Sequence, residues 1–168
     1  MTATSDPTIA AKVQHVDGGD SLVVKSGGNL KVEAGGQLTD ANGPVVHCVR
    51  TRFTIAQVNA GATLLPAIAG KGYRMVSCDA IAVGGAAGAV TTVDVLATLT
   101  TSRKLVSFAQ ASLTQSTVLK DGGTGAAVLA DGASYTLNDA NTAITVGVTG
   151  SPITTATNID FVFSYTIE

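Results

Sequence analysis

The chain has 168 residues with 10 Lys/Arg against 12 Asp/Glu, a net charge of −2, 13% charged and 4% aromatic residues, and no tryptophan. Charged residues fall near half of the ~25% usual for soluble domains, and the mean hydropathy is +0.35, so the chain hides more surface than one core requires, with subunit contacts as the simplest sink. The composition excludes generic nucleic-acid binding, which needs clustered cations, and a membrane-spanning helix, which needs ~18 or more consecutive apolar residues.

The N-terminus, Met1 to Pro7, lacks the basic-then-apolar order of a signal peptide, so a soluble chain made in the cytoplasm is expected. Residues 1–20 read as an arm in which Ile9 to Val16 offers a strand edge. An octad repeat follows: Leu22, Leu30 and Leu38 are eight apart, as are Val24 and Val32, and each unit closes on Gly-Gly. Glycine tolerates the positive φ of tight turns, so each unit is predicted to be a very short strand ending in a turn. One leucine and one valine per unit cannot build a free-standing core, so the units must stack on neighbours or on other copies of the chain. The residues assigned to a trimer and partner interface are therefore Ile9, Val13, Val16, Leu22, Val24, Leu30, Val32 and Leu38.

Thr39 to Pro44 is dense in turn residues and marks a boundary between residues 1–44 and a β-domain over 45–168. Val45 to Ile55 alternates, with Val49, Phe53 and Ile55 on one face and Arg50 and Arg52 on the other. Tyr73 to Val83 is apolar on both faces and reads as a central strand, and Val93, Val95, Ala97 and Leu99 share one face of the next. In the last run, Ile159, Phe161, Phe163, Tyr165 and Ile167 point one way and anchor the core. No helix is expected beyond a turn or two within Phe108 to Leu119. Short strands separated by Gly, Asn and Asp turns every 8–15 residues predict an all-β, antiparallel, jelly-roll-like β-sandwich.

Chemistry-bearing patterns are sparse. His47 beside Cys48 lies in a strand, where adjacent side chains face opposite ways, so one metal cannot take both. Asp17-Gly-Gly-Asp20 and Asn138 to Asn141 are read as turns, since neither carries the longer spacing of a calcium loop. Gly84 to Gly88 lacks both the Gly-x-Gly-x-x-Gly order and a following helix, so it too is a turn. No Gly-x-Ser-x-Gly elbow occurs. Asp79 and Asp94 fall inside apolar strands as the carboxylates expected to be partly buried, and Cys48 and Cys78 are expected to be buried free thiols. The chain is read as non-enzymatic, with no catalytic residue, metal or cofactor. Glycan binding is the rival reading, but glycan sites favour aromatic platforms and only Tyr135 looks loop-placed.

From Phe53 onward the chain resembles the capsid decoration (cement or head-fibre) proteins of tailed bacteriophages. The resemblance is carried by Thr54 to Pro66, Gly72-Tyr-Arg-Met-Val76, Ala82-Val-Gly-Gly85, Leu129-Ala-Asp-Gly132 and Asn138 to Val146, and the Gly-Gly octads resemble segments of trimeric phage fibres. It implies a homotrimer on the outer surface of a virion capsid, reinforcing the shell by bridging neighbouring major capsid proteins; that no nucleic acid or membrane is a partner is expected from the scattered cations and the short apolar runs. A tail-fibre, spike or adhesin-type module recognising cell-surface glycan is the alternative.

Overall fold

The computed structural model describes residues 13–15, 22–24, 26, 28, 29, 31, 39, 40, 43–88, 91–99, 101–123, 128, 129 and 136–168. The chain divides into two compact units, Met1–Gly36 and Gln37–Glu168. In the first, β1 (Val13–His15) pairs antiparallel with β2 (Leu22–Val24), placing Val13 opposite Val24 and His15 opposite Leu22. The first octad thus forms the short strand its pattern predicts, and its partner comes from the arm.

The second unit opens with a minimal hairpin of β3 (Thr39–Asp40) and β4 (Gly43–Pro44). The chain continues through β5 (His47–Thr54), α1 (Ile55–Ala60), β6 (Thr63–Leu65), β7 (Tyr73–Val83), β8 (Thr92–Leu99) and β9 (Thr101–Ala109). It ends with β10 (Leu119–Lys120), β11 (Val128–Leu129), β12 (Ile144–Thr149) and β13 (Asn158–Ile167). Two antiparallel sheets result, one of four strands in the order β10-β7-β13-β5 and one of five in the order β11-β9-β8-β12-β6. The all-β expectation holds. The pairing is nested: β8 pairs β9, β7 pairs β10, β6 pairs β12 and β5 pairs β13. The strands of the second unit thus pair from β8–β9 outward, with successive pairs in opposite sheets and β11 added beside β9.

Local chemistry explains the elements. In β5, Val49 and Phe53 turn inward while Arg50 and Arg52 are exposed, the two-residue period of a half-buried strand. In β13, Ile159, Phe161, Phe163 and Ile167 are buried and Tyr165 packs against the core, as the last run predicts. Val93, Val95 and Ala97 are buried along β8. The interior position of β7 also matches its apolar sequence, although its outer face is only half-covered. A bulge where β13 passes from Ser164 to Tyr165 leaves Val76 without a Cα partner, and this extra residue is 41% exposed.

The expectation of no helix before Phe108 is corrected by α1. Thr54 accepts from the Gln57 backbone N–H and the Gln57 side chain accepts from the Thr54 N–H, a capping box that redirects the chain out of β5. Gly61 then ends the helix at φ 83. Ile55 thus starts a helix rather than extending the strand. Val58 is buried, so α1 joins the first strand of one sheet to the edge strand of the other over the end of the core.

Both sheets feed one buried cluster. Phe53, Met75, Phe161 and Phe163 come from the four-stranded sheet; Val95, Phe108, Ile144 and Val146 come from the five-stranded one. Phe53 meets Phe161 edge-on at 6.2 Å between centroids, and Tyr73 meets Tyr165 the same way at 5.4 Å.

Candidate functional site

The outer face of the four-stranded sheet combines fixed charge with exposed aliphatic surface. Strand register builds it in two rows. Arg50 on β5 lies opposite Val162 on β13, Val162 opposite Asp79 on β7, and Asp79 opposite Lys120 on β10. In the second row Arg52 lies opposite Asp160, and Asp160 opposite Ile81. Val118, just before β10, joins Ile81 in lining an open groove of about 490 Å³ across these strands.

Asp160 organises the charges. Arg52 closes a fork on it, with Nε 2.6 Å from Oδ1 and Nη2 2.8 Å from Oδ2, and Arg50 Nη2 adds a third bond to Oδ2 at 3.1 Å. The carboxylate is only 5% exposed, whereas the Arg50 and Arg52 side chains are 72% and 54% exposed. The Arg52 hydrogen bonds, reinforced by Arg50, hold the Asp160 carboxyl below the ordinary carboxylate range and raise the Arg52 guanidinium in turn. Both arginines are thereby pinned to the sheet with spare N–H donors facing solvent. Lys120, on the opposite edge strand, is exposed and makes no ion pair among the described residues.

A second charged cluster lies on the five-stranded sheet. Asp94 is 1% exposed; its Oδ2 accepts from Thr149 Oγ1 at 2.6 Å and lies 3.0 Å from Lys104 Nζ, while its Oδ1 has no hydrogen-bond partner. Asp94 is thus buried as its apolar strand predicts, and Asp79 is half-buried, but the two stand in different sheets.

Three of the eight expected interface residues are described. Val13 lies in β1, and Leu22 and Val24 in β2, with Val13 and Val24 brought opposite one another. Ile9, Val16, Leu30, Val32 and Leu38 lie outside the described residues, as do Tyr135 and Asp17 to Asp20. His47 stacks on Tyr165 at 5.5 Å while its neighbour Cys48 faces outward, which keeps the two off any common ligand. Cys48 corrects the expectation of two buried thiols: it is exposed on the edge strand, and Cys78 alone is buried. Burial pushes the Cys78 thiol well up, with Asp121 and Asp79 adding to the effect. Asn138 to Asn141 is the predicted turn. Asn138 bonds both ways with the Tyr73 backbone, through its own N–H and through its side-chain oxygen, and Asn141 Oδ1 accepts from Gly70 N–H at 2.7 Å.

The alternation of Arg50 with Arg52 marks a polar face, but their pairing with Asp160 depends on β5 and β13 being neighbours. That adjacency is the signal absent from the linear sequence. Among the described residues no group of three or more His, Cys, Asp or Glu side chains could hold a metal ion, and no helix is long and apolar enough to cross a membrane. Compared with protein-family models, with curated proteins and with solved structures, the chain matches none.

Proposed function

We propose that this chain is a non-enzymatic structural protein of a bacteriophage virion, a homotrimer that decorates the outer capsid surface and bridges neighbouring major capsid proteins. The observation that carries the reading is the nested pairing of β5 with β13, β6 with β12, β7 with β10 and β8 with β9. This is the order produced by rolling an eight-stranded hairpin into two sheets, and it supports the finer reading of the fold as a jelly roll, an architecture used by viral capsid and lectin domains. Thr54 to Pro66, one of the segments that resembles decoration proteins, supplies the capping box, α1 and β6 of that roll.

A clamp stabilises a shell by binding the assembled lattice better than its separated parts, so mass action favours assembly. The two sheets, packed on one buried cluster, supply a stiff body. The arm to residue 20 and the octad repeat supply the capsid anchor and the seam where Leu22, Leu30 and Leu38 of three chains meet.

The test is co-sedimentation of the purified chain with capsid particles that lack it. Binding that saturates in multiples of three per lattice site, and that is lost on deleting residues 1–20, is the expected result. A chain that stays in the supernatant but binds on a glycan array overturns the clamp in favour of the fibre reading.

A further inference from the structure

The geometry points to the groove on the outer face of the four-stranded sheet as a docking site for an extended, acidic-aliphatic peptide segment of a partner protein. Two cations, Arg50 and Lys120, and two carboxylates, Asp79 and Asp160, line the groove, and Arg52 adjoins it through its fork on Asp160, so the Arg50–Arg52–Asp160 end carries one net positive charge. The positive end is the Arg50–Arg52 pair. Both guanidiniums are held in place by Asp160, yet Arg50 donates only one hydrogen bond to it. A guanidinium already fixed in position loses little freedom on meeting a second carboxylate, and a planar fork suits that group well.

Next to this anchor the floor is apolar. Val162 and Ile81 are half-buried and Val118 is 49% exposed, so a carboxylate seated on the arginines would bring neighbouring aliphatic side chains over these three. Edge strands often carry charge merely to discourage pairing. A face serving only that end would have no use for an aliphatic floor between its charged rims. The groove volume of about 490 Å³ also lies within the range of sites that enclose a few side chains. Only the identity of the chain that presents the segment rests on the capsid reading; the chemistry of the groove stands without it.

The test is a backbone-amide NMR titration of the intact chain with acetyl-Val-Glu-Val-Asp-Ile-amide and, separately, with acetyl-Val-Lys-Val-Lys-Ile-amide. The acidic peptide is expected to shift residues around Arg50, Val162, Ile81 and Val118, and its Kd is expected to rise at least about tenfold in Arg50→Glu. It should also weaken on raising the salt concentration, while the basic peptide leaves these positions unmoved. Arg50→Glu keeps the Arg52 fork on Asp160, and an unchanged spectrum away from the groove will verify its fold. No shift at millimolar acidic peptide, equal response to both peptides, or response at this face only to a sulfated polysaccharide overturns the proposal. Capsid binding measured by sedimentation is a separate readout, so a failed peptide titration with retained particle binding removes the groove assignment and leaves the clamp standing.

Discussion

Arg52 and Asp160 lie 108 residues apart in sequence and meet as directly opposed partners on β5 and β13, joined by two hydrogen bonds of 2.6 and 2.8 Å. The pair ties the first strand of the four-stranded sheet to the last in sequence, on the face away from the core. Asp160 is buried, so its charge depends on these donors.

The stability of the chain should therefore depend on pH in a defined way. The folded-state pKa of Asp160 is depressed from 3.8, so between the folded and unfolded values the unfolded chain binds more protons and stability rises with pH. The contribution is complete above the unfolded value and is lost as pH falls through the folded one. Asp160→Asn should cost about 1.5 kcal/mol at pH 7, given the exposure of its arginine partners. Denaturant titrations from pH 2 to pH 7 should show the two proteins converging at the acid end; a constant gap would contradict the assignment.

Asp94 and Lys104 should behave as a coupled pair. Lys104→Met leaves a carboxylate at 1% exposure with Thr149 as its remaining donor, a loss of about 2 to 3 kcal/mol. Adding Asp94→Leu removes the stranded charge, so the double variant should be less destabilised than the two single losses summed. Chemical denaturation of all four proteins closes the cycle, and strict additivity would show that the pair does not interact.

The helix between the sheets should depend on its cap. Thr54→Ala removes the acceptor for the Gln57 N–H and should cost about 1 kcal/mol. Gly72→Ala should cost more. A Cβ there would lie 2.5 Å from the Asn138 backbone oxygen, and Gly72 exchanges hydrogen bonds with Glu168 at 2.9 and 3.0 Å, so the backbone has little room to retreat. Thermal melts should rank wild type above Thr54→Ala above Gly72→Ala.

The two thiols should differ sharply in reactivity. Cys48 lies opposite Ser164 and Cys78 opposite Phe163, on the two strands flanking β13. Two ladder spacings separate them by about 9.5 Å, beyond the reach of a disulfide. A thiol reagent should titrate one cysteine per native chain quickly and the second only on unfolding. Two fast thiols, or none, would contradict the placement.

Sequence periodicity carried much of this fold. The two-residue alternation of β5, β8 and β13 follows from which side chains must leave water, and it survives in the structure because each strand has one core face. α1 was masked because Ile55 continues the alternation of β5, so a strand reading competes with the Thr54-x-x-Gln57 capping box in the same residues. Cys48 is hidden for a related reason: Val45, Val46 and Val49 surround it with aliphatic sequence, yet β5 turns every second residue to the open outer face of its sheet. The groove was least legible, because Arg50, Asp79, Lys120 and Asp160 become neighbours only through strand order.

Electron cryomicroscopy of intact capsids prepared with and without this chain tests the clamp reading most directly. The account predicts added three-fold density on the outer shell, with a two-sheet body seated across the junction of neighbouring capsid subunits. Particles that look identical in the two preparations, or density confined to the tail, would contradict it.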